Sequence, residues 1–148
     1  MQKCTLALGC FWKPEETFKS KAGIIETEVG YAGGLNERVT YEEVCNGNTG
    51  HAEVVRLTFD ENIISFKKII DLFFKMHDPT QKDMQYPDVG TQYRSEIFYE
   101  TDQQKQEASK ILNEFNKKFD GKIQTNISKI KNYCKAEEYH QKYFKKNK

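Results

Sequence analysis

Between residues 54 and 119 the apolar side chains of this chain change period three times. In 54–60, Val55, Leu57 and Phe59 alternate with Arg56, Thr58 and Asp60, the period-two pattern of a half-buried strand. After Ser65, a helix-capping residue, Phe66, Ile69, Ile70 and Phe73 follow the i, i+3, i+4, i+7 spacing of a helix with one apolar face. The stretch "YRSEIFYE" (93–100) alternates again. Ala108, Ile111, Leu112, Phe115 and Phe119 then lay one stripe along a helix over 102–119. One-faced helices interleaved with strands bury both patterns by lying on a sheet.

The flanking segments extend this order. Residues 3–9 read as a short buried strand and "PEETFKSK" (14–21) as a helix. Pro14 suits its first helical position, and Glu15 and Glu16 its first turn. In 24–31, Ile25, Thr27, Val29 and Tyr31 alternate with Glu26, Glu28 and Gly30, another strand. Strand material returns near 123–130 and a short C-terminal helix follows. The order β-α-β-loop-β-α-loop-β-α-β-α predicts an α+β fold. It is a two-layer sandwich with a mixed sheet and helices packed mainly on one face. The length of 148 residues fits a single domain, 1–148, whose core draws on ten Phe and eight Tyr. Residues 32–50 and 77–92 read as long polar loops, the second kept from regular structure by Pro79 and Pro87. Loops of that length in a compact domain carry function.

Charge excludes some functions. Lys and Arg number 23 against 22 Asp and Glu, a formal net charge of +1, which argues against a nucleic-acid partner. The lysines of "KYFKKNK" read as a solvated end. No apolar run approaches the ~20 residues of a membrane span, and the N-terminus lacks the features of a signal peptide. Cys4, Cys10, Cys45 and Cys134 are scattered, with no CxxC pair. A reducing, cytoplasmic setting is expected, where a cysteine is catalytic or simply buried.

Cys10 stands apart from the other three. It ends the first apolar run and precedes a helix start, where backbone N–H groups and the helix dipole favour a thiolate. Glu15 and Glu16 oppose that effect, and Pro14 removes one N–H donor. Phe11 and Trp12 follow directly and cannot both point into one core layer, so aromatic walls beside the thiol would form a slot for a small apolar group. Glu53, in "CNGNTGHAEVV", stands at a strand entrance, where partial desolvation would raise its pKa and suit a general acid. Tyr41 and Tyr93 are neutral hydroxyl donors near loop boundaries. Asp88, in "YPDVG", reads by itself as a turn residue.

Together these residues carry a family resemblance. "GCFW", "VGYAGG", "YEEV", "TGHAEVV", "HDPTQ", "DVGTQYRS" and "AEEYHQKY" resemble, in order and spacing, the signatures of A-type peptide methionine sulfoxide reductases, from Cys10 to about Phe144. The resemblance implies a ferredoxin-like-related reductase fold. It implies reduction of the S epimer of methionine sulfoxide, free or in proteins. By the same resemblance Cys10 is the nucleophile, Phe11 and Trp12 hold the S-methyl group, and Glu53 protonates the sulfoxide oxygen. Tyr41 and Tyr93 bind that oxygen, Asp88 lies on the substrate side, and His140 supports the site. No metal or cofactor is implied. The oxidised Cys10 would be returned to thiol by a thiol.

Many family members carry a Gly-rich tail with recycling cysteines, which the sequence to Lys148 does not contain. Three routes to recycling stay open: Cys134, Cys45, or an external thiol such as glutathione, glutaredoxin or thioredoxin. Cys4 is the poorest candidate, because six extended residues hold it roughly 20 Å from Cys10. Lys13, where the family often has Gly, reads as exposed. Three rival functions have sequence support. "HAE" matches half of a zinc deaminase signature, without its P-C-x-x-C partner. Cys10 with His51, His77 or His140 could make a hydrolase. A non-catalytic module could bind oxidised methionine without turning it over, although the complete set Cys10, Glu53, Tyr41 and Tyr93 argues against that.

Overall fold

In the computed structural model, which describes residues 1–147, the alternating segments pair into one sheet. Strands β1 (Gln2–Leu8), β2 (Ile24–Ala32), β3 (Ala52–Phe59), β6 (Ser95–Tyr99), β7 (Asn126–Lys129) and β8 (Cys134–Lys135) lie in the order β7-β6-β1-β3-β2-β8. Every pairing is antiparallel except β6 with β7, which is parallel, so the sheet is mixed. The helices are α1 (Trp12–Lys19), α2 (Tyr41–Cys45), α3 (Phe66–Met76), α4 (Asp102–Lys118) and α5 (Tyr143–Lys146).

The helices gather on one face, as the pattern predicts. Phe18 of α1, Ile69, Ile70, Phe73 and Phe74 of α3, and Ala108 and Ile111 of α4 join Leu6, Val29, Val55, Leu57 and Ile97 of the sheet in one core. The opposite face carries the small residues Ala7, Ala32, Ala52 and Val54 with Phe98, covered by Ile130 and Tyr133. Ser65 caps α3 by accepting the Lys68 N–H at 3.1 Å, and Thr101 caps α4 by accepting that of Gln104. Among the described residues no helix is long and apolar enough to cross a membrane.

Four local expectations need correction. Helix α1 begins at Trp12, so Pro14 takes its third position. The missing proline N–H is still harmless there, because first-turn donors have no intrahelical partner. Ile25 is 52% exposed rather than buried, because a bulge between Ile24 and Glu26 shifts the phase of β2. The segment 32–50 contains α2, held by a capping box: Thr40 Oγ1 accepts the Glu43 N–H, and the Glu43 carboxylate accepts the Thr40 N–H. The segment 77–92, read as irregular, contains a two-stranded hairpin, β4 (Met84–Gln85) with β5 (Asp88–Val89), and a 3-10 turn over Thr91–Tyr93. Pro87 lies in the turn between the two strands and costs them no hydrogen bond.

Candidate active site

Cys10 leaves the end of β1 through Gly9, whose φ of +97° is a backbone conformation that side-chain-bearing residues avoid. A Cβ on Gly9 would also meet Gln85 Cβ and Cγ at 3.0 Å. Glycine therefore both turns the chain toward α1 and lets Gln85 of the β4–β5 hairpin pack against the backbone beside Cys10. The hairpin brings Asp88 close enough for its charge to act on both Cys10 and Glu53.

Helix α1 meets the thiol as its position predicts, with the Trp12 backbone N–H hydrogen-bonded to Cys10 and favouring the thiolate. Burial outweighs that contact. With the Glu53 and Asp88 charges adding to it, burial pushes the Cys10 thiol up to about 11. Glu15 and Glu16 do not govern this thiol. The Glu15 carboxylate turns away, accepting from Thr27 Oγ1 at 2.7 Å and from the Lys142 N–H at 2.6 Å. Glu16 pairs with Lys19 at 3.0 Å.

Glu53 is the second residue of β3 and only 1% exposed, pointing to the helix-covered face with Val55 and Leu57. Its Oε1 accepts the Phe11 N–H at 3.3 Å. Burial raises its pKa to about 8, against the lowering effect of that hydrogen bond. At neutral pH the group is therefore predominantly the acid. Both tyrosine hydroxyls are also held protonated. Burial raises Tyr41, then its hydrogen bond with Cys45; burial raises Tyr93, then the charges of Glu53, Cys45, Asp88 and Cys10. A thiol, a neutral carboxyl and two hydroxyl donors thus meet in one place.

The two aromatics divide as the turn requires. Phe11 is buried, 5.8 Å from the Tyr31 ring. Trp12 is half-buried and stacks on Tyr143, with ring centroids 3.7 Å apart and planes within 7°. His140 supports this wall from behind, with its Nδ1 accepting the Trp12 indole N–H at 3.0 Å. That contact puts the imidazole proton on Nε2, which is buried without a protein partner. The ring also packs 5.1 Å from Phe11 and 4.6 Å from Tyr41.

Two further residues, Tyr31 and Glu137, brace the site. Tyr31, fully buried and paired with Glu53 across β2 and β3, donates its hydroxyl to Glu137 Oε1 at 2.7 Å. The other oxygen of Glu137 accepts the Tyr41 N–H at 2.9 Å. One carboxylate thereby ties the C-terminal segment to the start of α2 and fixes where Tyr41 begins. A sequence signal for Tyr31 existed in its phase with Val29. Glu137 had none apart from its place in "AEEYHQKY".

The remaining histidines are committed elsewhere. His77 Nδ1 donates to the Phe73 carbonyl, its Nε2 accepts from Ser95 Oγ, each at 2.7 Å, and burial lowers its pKa to about 4. His51 Nε2 donates to the Asn132 carbonyl at 3.1 Å. Among the described residues no three His, Cys, Asp or Glu side chains are grouped to hold a metal ion. Cys134 sits on β8 with its Sγ 3.7 Å from the Val39 carbonyl oxygen, and Cys4 is fully buried in β1. Cys45 is exposed at the end of α2, four residues after Tyr41.

Comparison with known proteins decides the family. The profile of the family described as Peptide methionine sulfoxide reductase matches residues 2–148. This chain belongs to the peptide methionine sulfoxide reductase family. It is with that family an oxidoreductase. The chain is 55% identical over 146 residues to the peptide methionine sulfoxide reductase MsrA of Pelagibacter ubique, with 99% of each chain covered. Reduced Mxr1 from Saccharomyces cerevisiae superposes with a TM-score of 0.95 at 41% identity, covering 99% of this chain and 85% of that one. Mxr1 in complex with Trx2 matches with a TM-score of 0.69 at 29% identity, over 96% of this chain and 84% of that one.

The loop that carries α2 rests on one close approach. A Cβ on Gly34 would lie 2.1 Å from His51 Nδ1 and 2.2 Å from the Thr49 carbonyl oxygen. The Gly34 carbonyl accepts from Asn132 Nδ2 at 2.8 Å, so the backbone has little room to retreat. Gly34→Ala is expected to cost about 1–3 kcal/mol, read as a lower midpoint in urea unfolding at unchanged slope.

Proposed function

We propose that this chain reduces the S epimer of methionine sulfoxide, free or in proteins, to methionine, with Cys10 as nucleophile and Glu53 as acid. The observation that carries the reading is the convergence of Cys10, the Tyr41 and Tyr93 hydroxyls and a buried Glu53 that is still protonated at neutral pH. Sulfoxide oxygen is a weak base and a poor leaving group. Attack at sulfur therefore needs a proton donor at the oxygen, and the two hydroxyls can hold it while charge develops.

The step balances without a cofactor. Glu53 protonates the sulfoxide oxygen and the Cys10 sulfur bonds to the substrate sulfur; the substrate S–O bond and that new S–S bond then break as the oxygen transfers to Cys10. The thiol proton returns Glu53 to its acid form. The substrate sulfur gains two electrons, Cys10 sulfur loses two, and the products are methionine and a Cys10 sulfenic acid. Phe11 and Trp12 would form the methyl slot, with Trp12 positioned by His140 and Tyr143, and Asp88 would lie on the substrate side. The sulfenic acid would be returned to thiol by an external reductant of the thioredoxin, glutaredoxin or glutathione class. The Mxr1–Trx2 complex supports the first of these. The scattered cysteines, with no CxxC pair, favour a reducing, cytoplasmic setting.

The test is a single turnover of pre-reduced protein on each epimer with no reductant present. One methionine per chain from the S epimer and none from the R epimer is expected. Binding of the S epimer with no methionine formed would replace the enzyme by a module that recognises oxidised methionine.

A further inference from the structure

The aromatic side chains of the site do not stop at the proposed methyl slot. His140 is buried, and three rings with more exposure pack on it: Tyr41 at 4.6 Å, Trp12 at 5.7 Å and Tyr139 at 4.2 Å between centroids. Trp12 also stacks on Tyr143 at 3.7 Å, and Tyr143 meets Phe144 edge-on at 5.8 Å. Tyr139 and Phe144, the two ends of this row, are 58% and 39% exposed. Exposed apolar side chains standing singly are ordinary, whereas rings in mutual contact that run out from a reaction site mark a binding surface.

We infer that this row of rings holds the polypeptide on either side of an oxidised methionine, and that the chain favours sulfoxides flanked by aromatic or large aliphatic residues. This inference rests on the reductase reading above and deepens it.

Continuity with the site selects the occupant. Trp12 belongs both to the proposed methyl slot and to the row, so a residue next to the oxidised methionine lies beside Trp12 when the sulfoxide sits at Cys10. From Trp12 the Phe144 end is reached through Tyr143 and the Tyr139 end through His140, two ring contacts each way. Two or three extended residues, at roughly 3.3 Å each, cover that distance. A free methionine sulfoxide does not, because its one side chain is already spent in the slot. The description of the matched family names a peptide substrate.

The row also has the right chemistry. Tyr41, Tyr139 and Tyr143 each join a flat apolar face to a hydroxyl, so they can cover a flanking side chain and still face the polar peptide backbone. Its ends are fixed before any substrate arrives. Between them, Gln141 Oε1 accepts the Val29 N–H at 2.9 Å and its Nε2 donates to the Val29 carbonyl at 2.8 Å. The next residue, Lys142, donates its N–H to the buried Glu15 carboxylate at 2.6 Å. A surface held this way loses little freedom on binding, so the apolar contact is kept as affinity.

The experiment is single turnover of excess pre-reduced chain, without reductant, on three S-sulfoxides. One is N-acetyl-methionine sulfoxide N-methylamide, which has no flanking side chain. The other two are peptides with the sulfoxide at the centre and lysine at both ends, carrying either two glycines or two phenylalanines on each side. The phenylalanine peptide is expected to react about 10-fold faster than the glycine peptide at concentrations below saturation. In the double variant Tyr139→Ser, Phe144→Ser that ratio should fall to within about 2-fold. The variant should reduce the N-acetyl compound at the wild-type rate, which also shows that it is folded. Equal rates on the two peptides in the wild type, or an unchanged ratio in the variant, overturn the inference. So does a variant slowed equally on all three substrates, which would make these rings part of the slot. A defect seen only in multiple turnover with a thioredoxin-class reductant would give the surface to the reductant instead. Methionine from none of the three substrates overturns the reductase reading itself.

Discussion

Replacing Cys10 by serine is expected to abolish single-turnover formation of methionine, a loss of about 10⁴-fold or more, to the solution background. Serine keeps the size of the side chain and its place before α1 but removes the polarisable sulfur that must bond to the substrate sulfur. The Trp12 N–H that now faces the thiol can still be accepted by a hydroxyl, so the α1 start has no reason to shift. The variant should unfold at the wild-type denaturant midpoint to within about 0.5 kcal/mol. A second readout concerns the wild-type thiol. With its pKa pushed up to about 11, Cys10 is almost wholly protonated at pH 7. Alkylation by iodoacetamide at that pH should modify the exposed Cys45 well before Cys10. Methionine production by Cys10→Ser at more than a few per cent of the wild-type rate would remove Cys10 from the chemistry altogether.

That raised pKa marks where sequence reading met its limit. A helix start behind Cys10 was legible, and the expected N–H contact exists. The burial that outweighs it was not legible, because it depends on how distant segments fold around residues 9 and 10, among them the β4–β5 hairpin, whose Gln85 lies against Gly9 and whose Asp88 acts on the thiol. The raised pKa also suits the proposed chemistry better than a free thiolate would. A resting thiolate beside a neutral Glu53 would draw its proton, disarming the acid before substrate arrives. Instead both protons are stored, and the substrate oxygen is the first new acceptor.

The same division runs through the fold. Strands and helices with strong periodicity, β3, α3 and α4 above all, were legible because one face of each is buried against the core. The bulge that exposes Ile25 was not, because an extra residue between Ile24 and Glu26 leaves the alternation of Thr27, Val29 and Tyr31 intact and turns only Ile25 out of phase with them. For α2 the signal was present in Thr40 and Glu43, a capping box without the apolar run that normally follows one. Cys10, Glu53, Tyr41 and Tyr93 are brought together as the motifs imply. Glu137 escaped because its work is done across 96 residues, on the Tyr41 backbone N–H. No local pattern encodes such a contact. His140, which the resemblance gives as support for the site, bonds to Trp12, one layer behind the proposed methyl slot.

Glu53→Gln is expected to slow single-turnover reduction by roughly 10²–10⁴-fold while leaving sulfoxide binding within a few-fold of wild type. Glutamine keeps the length, the acceptor for the Phe11 N–H and a donor toward the sulfoxide oxygen, so what it removes is the transferable proton. The wild-type rate should fall as pH rises through about 8, where the acid form is lost, and the glutamine variant should lack that limb. Stability should respond in a linked way. The carboxyl has a folded-state pKa near 8 against an ordinary value of 4.5. Between those values the unfolded chain has released a proton that the folded chain still holds, so stability declines as pH rises from 4.5 through 8. Above pH 8 the folded protein carries a buried carboxylate at full cost, offset only by the Phe11 N–H. Glu53→Gln removes that cost, so at pH 9 the slow variant should melt at a higher temperature than the wild type, with the gap closing toward pH 5. Equal melting temperatures at pH 9, or a wild-type rate flat from pH 6 to 10, would mean that Glu53 is ionised in the resting site. The proton for the sulfoxide oxygen would then have to come from a tyrosine.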